Sequence, residues 1–253
     1  MSNRLKVSLA CRSEIGDREE QQDYVGCVSE NGELLAVVCD GMGGLKMGAA
    51  ASACAAECLI ELFRAKEESE AIPSFYLNSI DVMDEKVSSL TDENGEPSGA
   101  GTTVASVCIS DGLLYWMSVG DSRICILRDN AFEIATRDHN YRLLLNGMLD
   151  GGMLTKEKYI EENENGDALI SFIGKSGIDV MDISQGFELL HGDYILLMSD
   201  GLYKNLDNET IKQTVLSAAD TEEAANNLIG LSRLRSNGQS DNVSFILIKT
   251  EAV

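Results

Sequence analysis

Five aspartates stand where apolar strands begin or end. Asp40 closes the run Leu34-Leu35-Ala36-Val37-Val38-Cys39, Asp121 follows Met117-Ser118-Val119-Gly120, and Asp200 follows an apolar run over residues 194–199. Asp241 lies just ahead of the run starting at Val243, and Asp23 just ahead of the one starting at Val25. An Asp-Gly or Asp-Asn pair by itself is a turn former, and Asp111-Gly112, between two short strands, reads as nothing more. Asp40-Gly41 and Asp200-Gly201 differ, because each ends a fully apolar strand and leads into glycine or small residues. Several carboxylates at the rims of packed strands are costly unless a cation neutralises them. Mg2+ and Mn2+ take hard oxygen donors of this kind. The residue types and their places therefore point to a cluster of divalent cations.

Such rims need strands, and the pattern supplies them. Residues 25–29 and 34–39 flank Asn31-Gly32, a strong hairpin signal. A small-residue helix is predicted over residues 47–65, where Ala49, Ala53, Ala56, Ile60 and Phe63 recur at helical spacing. A second helix is predicted from Pro73 to Leu90, with Pro73 in its first turn. A polar, acidic loop over residues 91–100 follows. Strands resume at 102–110 and 113–119, then at 124–128 and 132–135. Residues 140–178 break the pattern with two short helical stretches and read as an insertion over the sheet. Residues 194–199 form a strand, Asp207 and Asp220 cap two helices, with Glu223 strengthening the second cap, and residues 243–248 form the last strand. Strands in hairpins and helices in two separate blocks argue for antiparallel sheets with helices outside, an α+β domain. With two prolines and no repeat or linker, one domain over residues 1–253 is expected. No GxGxxG or GxxxxGK[ST] follows a strand, so a nucleotide-binding reading has no support.

Composition mostly excludes. The net charge of −22, from 42 acidic against 20 basic residues, opposes binding to nucleic acid or to anionic membrane. No apolar run approaches the roughly 18 residues of a membrane span, and residues 1–10 lack the apolar core of a signal peptide. A cytoplasmic protein is expected. The seven cysteines include no CxxC and sit mostly in apolar runs, so they read as reduced core thiols. With two histidines, His139 and His191, a zinc site has no ligand spacing to support it.

Seven blocks in order resemble the metal-dependent type 2C protein phosphatase family (PPM, PP2C-like) in its bacterial form. They are Gly16-Asp17-Arg18-Glu19-Glu20-Gln21-Gln22-Asp23, Asp40-Gly41-Met42-Gly43-Gly44, Gly101-Thr102-Thr103, Gly120-Asp121-Ser122-Arg123, Asp138-His139-Asn140, Ser199-Asp200-Gly201-Leu202 and Asp241-Asn242. Each is weak alone. The set is specific because it follows the family order over nearly the whole chain.

The resemblance implies a four-layer α-β-β-α sandwich of two antiparallel sheets flanked by helices, with its metals at one end. It implies that Asp40 bridges two ions and that Asp200 and Asp241 complete the first site. The Gly41 carbonyl and Asp23 serve the second, and Asp121, shared with Asp200, holds a third ion in similar bacterial members. Gly43 and Gly44 let the backbone pass close to the site. Two or three Mn2+ or Mg2+ ions are thus expected. The implied reaction is hydrolysis of phosphoserine and phosphothreonine in proteins by a metal-bridging water, without a phospho-enzyme. Arg18 matches the family's phosphate-binding arginine, a role that suits a guanidinium able to donate two parallel bonds. Catalysis is assigned to Asp40, Asp200, Asp241 and Arg18. Residues 140–178 match the variable flap beside the active site.

Two positions depart from the eukaryotic pattern. Gln22 replaces a glutamate, a weaker ligand that leaves more water at the second site. Met42 replaces a histidine proposed as general acid, which leaves the proton donor unassigned; a metal-bound water is the candidate. Both departures are common in bacterial-type members. His139, beside Asp138, reads as structural, as does Ser122, and Asn242 is expected to position Asp241 or its loop. The expected partners are phosphorylated proteins and a cognate serine/threonine kinase, with the chain a monomer. Two alternatives are a catalytically silent phosphatase-like binding module and a phosphomonoesterase of small esters. The complete set Asp23, Asp40, Asp200 and Asp241 favours catalysis over the silent module.

Overall fold

A computed structural model describes residues 5–43, 45–236 and 238–252. Twelve strands and seven α-helices are found among these residues. The strands are β1 (Leu5–Glu14), β2 (Asp23–Glu30), β3 (Glu33–Met42), β4 (Gly101–Thr102), β5 (Val104–Ser110), β6 (Leu113–Val119), β7 (Arg123–Arg128), β8 (Ala131–Ile134), β9 (Asp182–Ile183), β10 (Phe187–Glu188), β11 (Tyr194–Met198) and β12 (Val243–Ala252). The helices are α1 (Leu45–Ala65), α2 (Ile72–Ser88), α3 (Tyr141–Asp150), α4 (Lys156–Glu162), α5 (Asp200–Tyr203), α6 (Asn208–Ser217) and α7 (Thr221–Arg235).

One sheet runs β1-β12-β11-β7-β8 and the other β10-β6-β5-β3-β2, with β9 added on β6 and β4 on β3, all antiparallel. Alternation along each strand explains the continuous apolar runs, since successive side chains leave opposite faces of a sheet and here both faces are covered. In β3, Leu34, Ala36 and Val38 face the other sheet, while Leu35, Val37 and Cys39 face α1 and α2. In β12, Ile246 and Ile248 face inward between the sheets, while Phe245 and Leu247 meet the α5–α7 block. Three separate apolar cores thus bind four layers, the α-β-β-α sandwich expected.

Local chemistry sets the boundaries. Asn31-Gly32 and Asp111-Gly112 both take positive φ (50° and 83°; 50° and 77°), as two-residue hairpin loops require. Asp207 accepts from the Thr210 N–H and Asp220 from the Glu223 N–H, capping α6 and α7 as predicted. Strand β1 was not anticipated. Its inward Leu5, Val7, Leu9 and Cys11 alternate with Lys6, Ser8, Ala10 and Arg12, of which Ala10 packs against the helices. The cysteines need a correction: Cys39, Cys58, Cys108 and Cys125 are buried, but Cys11, Cys27 and Cys54 are only half-buried. Gly44 lies outside the described residues.

Candidate metal centre

The site forms where strand ends from both sheets meet. In the β2–β3 ladder Asp23 stands directly opposite Asp40. Like charges in that position destabilise a hairpin, so this register needs support from its surroundings. The Asp40 main chain is gripped on three sides: its N–H donates to Thr103 Oγ1 (3.0 Å), and its carbonyl accepts from the Thr103 N–H and from Thr102 Oγ1 (both 2.9 Å). Thr103 in turn shares a 2.6 Å hydrogen bond with Ser122. Beyond Asp40, a Cβ on Gly41 would lie 2.1 Å from the Gly48 carbonyl oxygen, so only glycine lets α1 start this close to β3.

Asp200 is the first residue of α5, one step past the strand end predicted for it. A Cβ on Gly201 would sit 2.0 Å from the Asn242 carbonyl oxygen. The α5 turn therefore rests directly on the Asp241-Asn242 turn. Asn242 is buried and ties three chain segments together: its Oδ1 accepts from the Gln22 N–H (2.8 Å), and its Nδ2 donates to the carbonyls of Ile15 (2.8 Å) and Glu20 (3.0 Å). Asp17 completes the staple by accepting from the Ser240 N–H (2.7 Å). This loop presents Arg18, whose Nη2 lies 2.7 Å from Asp241 Oδ2.

The result is a cleft of about 400 Å³ lined by Arg18, Gln22, Asp40, Gly41, Met42, Asp200 and Asp241, among others. Asp23 and Asp121 are buried behind the lining. Burial pushes the Asp23 carboxyl up to about 7; Ser199 opposes this, and the charges of Asp200 and Asp241 reinforce it. Burial, then the charges of Asp23, Asp200, Asp121 and Asp241, raise Asp40 well above the carboxylate range. Burial and the Asp200 charge push Asp121 up to about 6. Crowded, desolvated oxygen donors of this kind are the set a hard divalent cation takes. As the side chains stand, no three acidic, histidine or cysteine groups close around one point among the described residues. Lys204 Nζ holds Asp200 Oδ2 at 2.5 Å and Arg18 holds Asp241. The donors fit a cation by chemistry, and a cation would compete with these two side chains.

Several contributors carried no assigned role in the sequence reading. Ser199 donates to Asp23 Oδ2 (2.8 Å) and accepts from the Ser244 N–H (3.0 Å). Tyr203 Oη reaches the Asp121 carbonyl oxygen (3.2 Å) and Oδ2 (3.4 Å). The Arg123 guanidinium lies 3.6 Å from the centre of the Tyr203 ring and is itself held by Asp138 through two bonds (2.9 and 2.7 Å). Lys204, four residues after Asp200 on a helix, was the most findable of these. His139 is fully buried and its Nδ1 accepts from the Gly120 N–H (3.1 Å). That bond puts the imidazole proton on Nε2, which faces Asp182 at 3.5 Å. His139 thus latches the turn before Asp121, away from the cleft.

The model of the family described as protein phosphatase 2C matches residues 11–231. The chain is similar to the protein phosphatase PhpP of Streptococcus pneumoniae, 27% identical over 251 residues, covering 96% of this chain and 97% of the relative. Its fold is similar to that of the Streptococcus agalactiae serine/threonine phosphatase, at TM-score 0.84 and 27% identity, over 96% of this chain and 99% of the other. It is also similar to the catalytic domain of the serine/threonine protein phosphatase PstP in complex with two manganese ions, at TM-score 0.77 and 26% identity, over 98% and 100% of the two chains.

Proposed function

The chain belongs to the protein phosphatase 2C family of metal-dependent serine/threonine phosphatases, and we propose that its carboxylate end performs that hydrolysis with the residues just described. One observation carries the reading: five aspartates from both sheets crowd one end of the sandwich, and the cleft they border presents an arginine. Asp40, Asp200 and Asp241 would hold one ion, and Asp40 with the Gly41 carbonyl and Asp23 a second. Asp121 with Asp200 offers a place for a third. Mn2+ or Mg2+ suits these donors equally. When bound, such cations supply a water that is ionised at neutral pH and aimed at phosphorus.

The chain's own residues do the rest. Arg18 is solvent-facing, held on a loop stapled by Asn242 and Asp17, and free to exchange its Asp241 partner for two phosphate oxygens. Met42 cannot donate a proton to the departing alkoxide. The substrate is a phosphorylated serine or threonine in a protein, and a cognate kinase would supply it.

The 253 residues serve as one phosphatase domain, with residues 140–178 as a flap. This segment holds α3 and α4, and its Asp167 acts electrostatically on Lys204 beside Asp200. Gly174 and Gly177 N–H groups anchor its far end on the buried Asp84 (2.7 and 2.6 Å). No described helix is long and apolar enough to cross a membrane, and a cytoplasmic monomer fits the acidic surface.

The test is turnover of p-nitrophenyl phosphate and of a phosphothreonine peptide by purified protein with Mn2+ or with chelator. Turnover of both, dependent on Mn2+, is expected. Arg18→Ala should raise KM for the peptide roughly 10-fold or more, while the Mn2+ dependence stays. No turnover at any Mn2+ concentration would refute the reading, and turnover of the small ester alone would point to a phosphomonoesterase.

A further inference from the structure

Two half-buried cysteines meet at the open edge of the sandwich. Cys11 lies on β1 and Cys27 on β2, the edge strands of the two different sheets. Their Sγ atoms are 3.7 Å apart, in hydrogen-bond contact across the gap between the sheets. Both thiols also belong to the apolar packing between the two sheets. The pair is asymmetric. The hydrogen bond shared with Cys27 lowers the Cys11 thiol, burial opposes this, and Arg12 lowers it further, against Glu222. Cys27 is pushed up, first by its bond to Cys11 and then by burial. A thiol more readily ionised than its neighbour, with that neighbour in contact, is the arrangement of a peroxide-reactive cysteine beside a resolving one.

We propose that Cys11 and Cys27 are a redox modification site, at which a peroxide closes a reversible disulfide that ties the two sheets together. The step balances. The Cys11 thiolate attacks one peroxide oxygen, the O–O bond breaks, and Cys11 becomes the sulfenic acid while hydroxide leaves and takes up a proton. The Cys27 sulfur then attacks Cys11 sulfur, its proton goes to the departing oxygen, and water leaves. Two thiols lose two electrons and the peroxide becomes two waters. A dithiol reverses the bond by exchange. In a reducing compartment a cysteine pair of this kind acts transiently.

The placement has a consequence for the cleft. The two cysteines are 16 positions apart, and the ring they close contains both Arg18 and Asp23. The loop that presents Arg18 already runs from β1 of one sheet to β2 of the other, and the bond would close it into a ring and restrict its motion. The inference stands on the thiols alone, whether or not the carboxylate end binds cations.

The test treats the purified full chain with hydrogen peroxide at low molar excess, blocks free thiols, and digests with trypsin without reduction. The expected product joins peptides 7–12 and 19–46. Since the second also contains Cys39, which is buried, fragmentation should place the link on Cys27. The oxidised protein should unfold at a temperature roughly 5 °C or more higher than the reduced one, and dithiothreitol should restore the original value. Cys11→Ser and Cys27→Ser should each abolish the link and the shift, while Cys54→Ser keeps both. Circular dichroism of the reduced variants distinguishes loss of the bond from loss of the fold, and Cys11→Ala and Cys27→Ala serve if a serine variant does not fold. Links to other cysteines, links only between chains, or sulfinic acid at either thiol without a link would overturn the proposal.

Discussion

Two groups of buried and half-buried aspartates sit in this sandwich and differ in what faces them. Asp193, at the start of β11, receives two bonds from Arg128 (2.8 and 2.6 Å) and one from the Leu190 N–H (2.8 Å). Asp182, on β9, receives the Arg137 N–H (2.8 Å) and guanidinium and faces His139; burial would raise its carboxyl, but these partners outweigh it and hold it below the ordinary range. Asp84 takes two backbone N–H groups from residues 174 and 177. In the second group Asp23, Asp40 and Asp121 each feel the charge of Asp200, Asp40 also meets Asp23 and Asp121, and all three carboxyls are raised. A buried carboxylate met by a cation or by N–H donors holds the fold together. One met by other carboxylates strains the fold unless a ligand cation arrives.

The largest effect expected from breaking this contrast is catalytic. Asp40→Asn should lower Mn2+-dependent turnover about 1,000-fold or more, which corresponds to about 4 kcal/mol. The same change should raise the unfolding temperature of the chelated protein, because the cost of holding a desolvated carboxyl among other carboxylates is gone. A fall in that temperature would mean that Asp40 is structural.

The paired group should respond in the opposite way. Arg128→Ala leaves Asp193 buried without its cation, and Arg128 is 30% exposed, which softens the loss. A destabilisation of about 2–3 kcal/mol is expected in urea, with turnover per folded molecule unchanged.

The two groups should also differ in pH dependence. The Asp23 carboxyl is raised to about 7 in the folded chain, above the ordinary value of about 4. Between those values the folded state holds a proton that the unfolded state has released. Without cations, stability from Asp23 is therefore lost as pH rises through that window. Asp182, held low, adds stability above its ordinary value and loses it as pH falls. Urea midpoints from pH 4.5 to 7.5 in chelator should fall less steeply for Asp23→Asn than for the parent chain. Parallel curves would remove Asp23 from the strained group.

The smallest effect concerns the cations that already hold the cleft. Lys204→Met frees Asp200 from an exposed ion pair of the kind worth under about 1 kcal/mol. The Mn2+ concentration for half-maximal activity should fall about two- to fivefold. An increase would make Lys204 a helper of the site instead of a competitor.

Local pattern determined much of this protein. Alternation in β3 and β12, the Asn-Gly and Asp-Gly turns, and the caps at Asp207 and Asp220 are set by neighbours a few residues away, so they were legible from the chain. The placing of Asp40, Asp200 and Asp241 at strand ends was legible for the same reason. The edge strand β1 was less so: Leu5, Val7, Leu9 and Cys11 alternate with Lys6, Ser8 and Arg12, and only the apolar Ala10 departs from the pattern. Tertiary structure alone decided which aspartates are paired. Asp182 and Asp193 resemble Asp23 and Asp121 in their surroundings along the chain, and only sheet register and the stacking of two sheets bring Arg137 to Asp182 and Arg128 to Asp193, and other carboxylates to Asp23 and Asp121. The same stacking brought Cys11 onto Cys27. Partners of that kind are chosen across the sandwich, by contacts hundreds of positions apart in some cases, and no local spacing encodes them.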